Sequence, residues 1–405
     1  MRVMQPSSSY SRRFFLGLAG ATAAAASVPL PAFEVSASLY AWDLHDEGIE
    51  KILDNLQQMA AVDSVYLVAL MHYERRPLTS SEFTHNPVRK MWQAEDSRAY
   101  WLPDMKRYGR IQPRLSDFDW LNRTDWLRTL VEAARKRGLR TGVEISHTVL
   151  DLERAKAEFI DCVQRDIGGQ PIVFGRTYPI CPNNPDARQY MLNLFSELAT
   201  RYDVDYIQTC TLPFMRGGVE KGGCFCESCV KTAGQSGFDL AKAKAVLKRN
   251  PAAQPELGQW QEFRKEALAQ YYKVMDDGIH AIRRGAEFRF NDCFNGADWG
   301  VDVKRLKPYL DSIRVCDYSE QTGDAARMKD KREWLTRERA AAGQGFPIVS
   351  AVAVRPKATP ELIREGVKIA VECGMNGITL GHYDGAEFPM LRAIRDGLKA
   401  TGKLG

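Results

Sequence analysis

The sequence is short of several things that would have assigned it quickly. It has no apolar run approaching the roughly 20 residues that span a bilayer, so a stable membrane-spanning helix is excluded. Histidines are scarce, only six in 405 residues, and no tight His/carboxylate spacing points to a His-rich metal site. Charge of one sign is also lacking: 56 basic residues face 51 acidic ones, for a net +5. The first 32 residues hold Arg2, Arg12 and Arg13 and no acid, and the remainder carries only +2. A near-neutral body gives no electrostatic reason to expect a nucleic-acid partner. No phosphate loop occurs, no G-x-G-x-x-G follows a strand-like run, and there is no G-x-S-x-G elbow. Nucleotide sites, organic cofactors and serine-hydrolase chemistry are therefore not expected. Internal repeats, low-complexity tracts and long linkers are missing too.

What is present begins with an address. Ser11-Arg12-Arg13-Phe14-Phe15-Leu16 resembles the twin-arginine export motif, and an Ala- and Gly-rich stretch runs on to Ala26. That stretch has the size of a signal-peptide core, and Ala24, Ala26 or Ala32 offers small residues for cleavage. Residues 1–32 are expected to be a leader recognised by the twin-arginine export machinery. The mature chain is then periplasmic or secreted. Export by this route follows folding in the reducing cytoplasm, where thiols can take a metal first.

Beyond the leader, short apolar runs alternate with amphipathic segments. Strands are expected at 35–41, 64–70, 141–146, 204–209, 286–292, 311–317, 347–354 and 376–381. Helices are expected at 47–60, 124–137, 152–166, 186–201, 258–284, 325–342, 360–372 and 386–399. Asp125 and Thr359-Pro360 read as helix starts, Gly138 and Gly374 as stops. Eight strands, each followed by helical sequence, predict an α/β fold of the (β/α)8 barrel type over residues 33–405. A doubly wound sheet is the competitor. Two insertions interrupt the rhythm, an aromatic-rich one at 72–120 after strand 2 and a Cys-rich one at 210–257 after strand 4.

Nine cysteines, an odd number, argue against a simple disulfide framework. Cys224, Cys226 and Cys229 lie within six residues beside Gly222-Gly223, so their thiolates can converge on one metal. Four thiolates around Zn2+ make a closed structural site with no open catalytic position. The fourth ligand must come from elsewhere, with Cys181 first and Cys210 in reserve. The plain alternative is a disulfide with spare thiols.

Three segments now carry a family likeness: Cys181-Pro182-Asn183-Asn184-Pro185, Arg201-Tyr202-Asp203 and Cys224-Phe225-Cys226-Glu227-Ser228-Cys229. They resemble barrel glycoside hydrolases, and in particular the bacterial β-galactosidases of family 42. The resemblance implies one structural Zn2+ per chain on Cys181, Cys224, Cys226 and Cys229, and an oligosaccharide or glycoside as substrate. It covers about residues 180–230 in detail. The family's catalytic glutamates, after strands 4 and 7, have no counterparts: strand 4 ends Gln208-Thr209-Cys210 and strand 7 ends Ala353-Val354-Arg355.

Glycoside hydrolysis generally uses two carboxylates, one protonated and one ionised. Those near strand ends rank Asp317, Asp292 and Asp384 first as catalytic candidates; for each, a turn or helix-capping role competes. Glu144, in Gly142-Val143-Glu144-Ile145, points into the barrel by strand alternation, as do Arg289, Asn291 and Arg314. Glu144 is equally suited to catalysis and to a buried ion pair. Substrate-binding candidates are Trp42, Asp43, His72, Glu74, Arg75, Arg289, Asn291, Trp299, His382 and Tyr383, which offer flat apolar faces and hydroxyl-binding forks. Three functions compete: an exported glycoside hydrolase, a metal-dependent sugar isomerase, epimerase or lyase, and a non-catalytic glycan-binding barrel.

Overall fold

The computed structural model describes residues 31–71, 85–90, 98–146, 149–175, 177–209, 213–293, 297–355 and 357–405. Residues 1–30 of the expected leader, and His72, Glu74, Arg75 and Cys210, lie outside these residues. Eight parallel strands close on themselves: β1 (Glu34–Leu39), β2 (Ser64–Met71), β3 (Arg140–Ile145), β4 (Tyr206–Thr209), β5 (Glu287–Asp292), β6 (Ser312–Val315), β7 (Ile348–Ala353) and β8 (Gly377–Gly381). Closure comes from β1 pairing β8 at Glu34↔Gly377 and β2 at Ser36↔Ser64. This is the (β/α)8 barrel, and every strand falls where the apolar runs predict it.

The helices around it are α1 (Ile49–Ala60), α2 (Trp126–Lys136), α3 (Pro185–Arg201), α4 (Glu227–Gln235), α5 (Leu240–Arg249), α6 (Glu256–Ile282), α7 (Arg327–Ala342), α8 (Pro360–Glu372) and α9 (Phe388–Ala400). Their ends follow local chemistry. Asp125 accepts from Arg128 N at 3.0 Å and Thr359 Oγ1 from Leu362 N at 3.3 Å, each satisfying an orphan amide of the first turn. Gly138 and Gly374 take φ of +69° and +73° just past their helices, where a side chain would be strained. Among the described residues no helix is long and apolar enough to cross a membrane.

The expected helix at 152–166 stops at Phe159. Beyond it the backbone serves other segments: Gln164 N donates to Pro179 O and Arg165 N to Cys224 Sγ. The Gln164 side chain, fully buried, donates to Ile180 O and Pro213 O and accepts from Met215 N. These tertiary bonds take the place of the helical ladder, and the segments flanking this stretch, Val149–Asp151 and Thr177–Pro179, pair antiparallel. The β3–β4 connection is thus a third long excursion, and it carries Cys181. In the β2–β3 insertion, Arg98–Ala99 pairs antiparallel with the end of β2. Tyr100 and Trp101 beside it are buried, so these two rings belong to the core and not to an exposed sugar platform.

Strand alternation sorts the barrel interior from the helix layer. Along β5, Phe288 and Phe290 pack on Tyr272 of α6, 5.8 and 5.3 Å between ring centres. Arg289 and Asn291 face the lumen. Gly142 of β3 leaves room for the Tyr206 ring, because a Cβ there would lie 2.1 Å from it.

Arg289 sits at the N-terminal end of the lumen, away from the mouth. Its guanidinium donates to both oxygens of Glu34 (3.0 and 2.8 Å) and to Glu287 at 2.8 Å. Arg140 joins the same pair of glutamates, each at 3.0 Å. Burial works against the Glu287 charge, yet the two arginines outweigh it and hold the group at about 2. The expected substrate contact of Arg289 is therefore a structural network in this fold. Arg289→Ala should destabilise the protein by about 3–5 kcal/mol, since it strands buried carboxylates. Thermal unfolding of the variant checks this.

Candidate active site and metal centre

The C-terminal half of the lumen gathers four polar side chains from four consecutive strands. Glu144 of β3 is 5% exposed. Its Oε2 accepts from Gln208 Nε2 of β4 at 2.6 Å, Asn291 Nδ2 of β5 at 3.1 Å and Arg314 NH1 of β6 at 3.2 Å. Three donors and no acceptor converge on that oxygen, which is the environment of a carboxylate. Arg314 also donates to the Tyr318 hydroxyl at 2.7 Å. Gln208 Oε1, Asn291 Oδ1 and Arg314 Nε are buried with no hydrogen-bond partner among the described residues. Unmet polar atoms at this depth are costly unless something else fills them.

An aromatic wall continues from Tyr318. Its ring lies 6.5 Å from that of His382, which follows β8. His382 is 5.0 Å from Tyr40, and Tyr40 stacks on Trp42 at 4.3 Å. His382 Nδ1 shares a short hydrogen bond with Ser38 Oγ of β1. Together these groups offer one carboxylate, several hydrogen-bonding atoms and flat apolar faces.

The structure brings Glu144, Asn291, His382 and, through Tyr40, Trp42 to this end. It sends other candidates elsewhere. Asp292 follows the inward Asn291 and faces out, its carboxylate beside that of Glu338 of α7. Asp317 accepts from Ser319 N at 2.9 Å and lies 3.7 Å from Lys331 of α7. Asp384 and Tyr383 form a buried one-turn 3-10 helix, with the Tyr383 hydroxyl accepting from Asn55 of α1 at 2.9 Å. Asp43 accepts from Tyr40 N at 2.9 Å and so fixes the turn after β1. Trp299 is buried in a 3-10 turn after β5, with the Arg216 guanidinium 5.3 Å from its ring. Glu320, just beyond Asp317 in the sequence, is likewise a fully buried partner of Lys331, 2.9 Å away. Gln208, Tyr318 and Ser38 were not singled out by the sequence. The signal for Gln208 was its position two residues after Tyr206, on the same face of β4. Among the described residues, no group of three His, Cys, Asp or Glu side chains converges at the mouth.

The outward pair has its own consequence. Burial and the neighbouring Asp292 carboxylate push Glu338 up to about 9. Between about 4.5 and 9 the unfolded chain holds fewer protons at this position than the folded one. Stability is therefore fullest below that window and falls as pH rises through it. Glu338→Gln, which keeps a donor towards Asp292, should raise Tm by about 2–4 °C at pH 8 and change little at pH 4. Scanning calorimetry at the two pH values measures it.

The second centre lies beside the barrel. Cys181, Cys224, Cys226 and Cys229 are all buried, and their sulfurs lie within 4.8 Å of one another. Cys181 Sγ is 3.5 Å from both Cys226 and Cys229. That is far beyond the S–S bond of about 2.0 Å. It is near the edge of about 3.8 Å expected for a tetrahedron with metal–sulfur distances of about 2.3 Å. Arg165 N donates to Cys224 and Asn183 Nδ2 to Cys229, each at 3.3 Å, as suits thiolate acceptors. Phe225 stacks on Trp260 of α6 at 5.1 Å, and the buried Arg264 guanidinium covers Trp260 at 4.4 Å. Arg264 also donates to Phe214 O, Met215 O and Asp298 O, tying the cluster to the segments after β4 and β5. Four buried sulfurs with N–H donors turned towards them fit a metal ion.

Comparison with known proteins places the fold. No family model matches the sequence, and no curated protein matches it significantly. Solved structures do match. An α-L-fucosidase isoenzyme 2 from Paenibacillus thiaminolyticus gives TM-score 0.59 at 16% identity, over 92% of this chain and 50% of that one. A catalytic mutant of a family 42 β-galactosidase from G. stearothermophilus gives 0.57 at 11% identity, over 92% and 57%. The catalytic domain of a β-amylase from Paenibacillus polymyxa gives 0.55 at 13%, over 94% and 99%. The chain thus spans about half the length of the fucosidase and somewhat more of the galactosidase. What these likenesses show is the fold: the chain shares its (β/α)8 barrel with these proteins.

Proposed function

We propose that the protein is an exported carbohydrate-active enzyme, a glycoside hydrolase acting on an oligosaccharide or glycoside at the C-terminal mouth of its barrel. The observation that carries this reading is the Glu144 carboxylate, held in the lumen by Gln208, Asn291 and Arg314 beneath an aromatic wall. In this reading Glu144 faces the anomeric carbon and stabilises the positive charge that develops there. Gln208 Oε1, Asn291 Oδ1 and Arg314 Nε are the atoms left to meet sugar hydroxyls. Tyr40, Trp42 and His382 supply apolar faces for sugar C–H surfaces. The Cys181, Cys224, Cys226 and Cys229 centre holds a structural Zn2+ that stiffens the loops and takes no part in chemistry. Residues 1–32 are the twin-arginine leader, and 33–405 form one barrel with its insertions, working in the periplasm or outside the cell.

A second reading, a glycan-binding barrel without turnover, is favoured by one feature. Glu144 is the single carboxylate, among the described residues, found hydrogen-bonded to Arg314 and Asn291 in the upper lumen. Screening the purified protein against aryl glycosides and oligosaccharides separates the two. Turnover supports hydrolysis; calorimetric binding with no product supports the second reading; neither sinks both.

A further inference from the structure

Two cysteines outside the metal centre stand together at the barrel mouth. The β5–β6 ladder pairs Asp292 with Val315, and Cys316 N donates to Asp292 O at 2.8 Å. The next step of that register sets Cys293 beside Cys316. Neighbouring strands run about 4.8 Å apart, within the Cα separation of about 4.4–6.8 Å that a disulfide spans. Alternation turns both side chains to the lumen, because Asn291 and Arg314, two residues earlier, meet there on Glu144. The Cys293 side chain lies within interacting distance of the Cys316 thiol. Cys316 is buried, and burial together with Cys293 keeps it in the thiol form; Cys293 is partly exposed at the rim. The other described cysteines outside the metal centre lack such a neighbour: Cys162 is buried beside Asp161, and Cys373 sits at the end of α8 against Thr336.

We infer that Cys293 and Cys316 form a reversible disulfide across the ends of β5 and β6, a redox modification site directly above Glu144. The oxidant is a small disulfide such as oxidised glutathione, or an exported disulfide donor of the same chemistry. The accessible Cys293 thiolate attacks one sulfur of the oxidant and expels a thiolate, which takes up a proton. Cys316 then loses its proton and attacks the mixed disulfide at the Cys293 sulfur, expelling the second thiolate. The protein gives up two electrons and two protons, and the oxidant becomes two thiols. The bond joins the two strand ends that present Asn291 and Arg314 to Glu144. Its formation does not depend on the protein being a hydrolase.

The test uses the full chain purified without chelator and treated with oxidised glutathione at pH 8. Remaining thiols are alkylated, and the peptides are mapped by mass spectrometry. The expected result is a loss of about 2 Da and a Cys293–Cys316 cross-linked peptide in most molecules, reversed by dithiothreitol. Cys316→Ser should instead stop at a glutathione adduct on Cys293. Alkylation of both residues after oxidation, a stable adduct on Cys293 with Cys316 intact, or cross-links confined to other cysteines would each overturn the inference.

Discussion

Replacing Glu144 by Gln is expected to lower turnover at least about a hundredfold, or to abolish sugar binding if the protein only binds. All three donors around Oε2 are N–H groups, and an amide at this position presents them with one acceptor and two competing hydrogens. Arg314 would also lose the carboxylate facing it, keeping Tyr318, among the described residues, as a side-chain acceptor. Removing one member of a buried pair costs about 3–5 kcal/mol, so a fall in Tm is expected as well. Activity loss alone would then be ambiguous between catalysis and unfolding. The double variant Glu144→Gln/Arg314→Met resolves it. With the unpaired charge gone, stability should return towards wild type, because the pair is coupled. If Glu144 works on the sugar, turnover stays lost in the double variant. Recovery of activity with recovery of stability would show Glu144 to be a strut.

Cys226→Ser is expected to empty the four-cysteine centre and loosen the insertion after β4. Elemental analysis of protein purified without chelator should give one Zn per chain for wild type and almost none for the variant. A wild-type protein free of Zn would sink the assignment. Metal bound to such a site can carry about 10–16 kcal/mol of apparent folding energy in isolated fingers. Here the barrel has its own core, so the damage should concentrate in residues 213–255, with faster proteolysis there and a lower Tm. Cys373→Ser, at a partly exposed helix end, should leave both unchanged. The same centre makes the protein sensitive to acid with chelator, since thiolates must take protons as the metal leaves.

Much of this arrangement was legible in the chain. The period-two pattern of β5 set Phe288 and Phe290 against the helices and Arg289 and Asn291 inside, as found. The same rule, carried one residue further, turns Asp292 outward. Ranking it by closeness to a strand end overlooked the face it presents. Asp317 was misleading for the same reason, one residue beyond Cys316. Alternation could not separate Arg289 from Asn291, which share a face but meet opposite ends of the lumen. Depth along the strand decides that, and it is fixed by the stagger of the closed barrel.

The sequence by itself determined the eight-strand order, the helix ends at Asp125, Thr359, Gly138 and Gly374, and the three clustered cysteines. Each rests on interactions within a few residues: alternation, capping, a tight turn. Tertiary structure alone decided the partners. Glu144 meets Gln208 across 64 residues of chain and Arg314 across 170. Cys181 reaches Cys229 across 48, and Glu338 finds Asp292 from a helix on the far side of β6. Closing the barrel brings such distant positions within hydrogen-bond reach, and local propensity carries no record of which will meet.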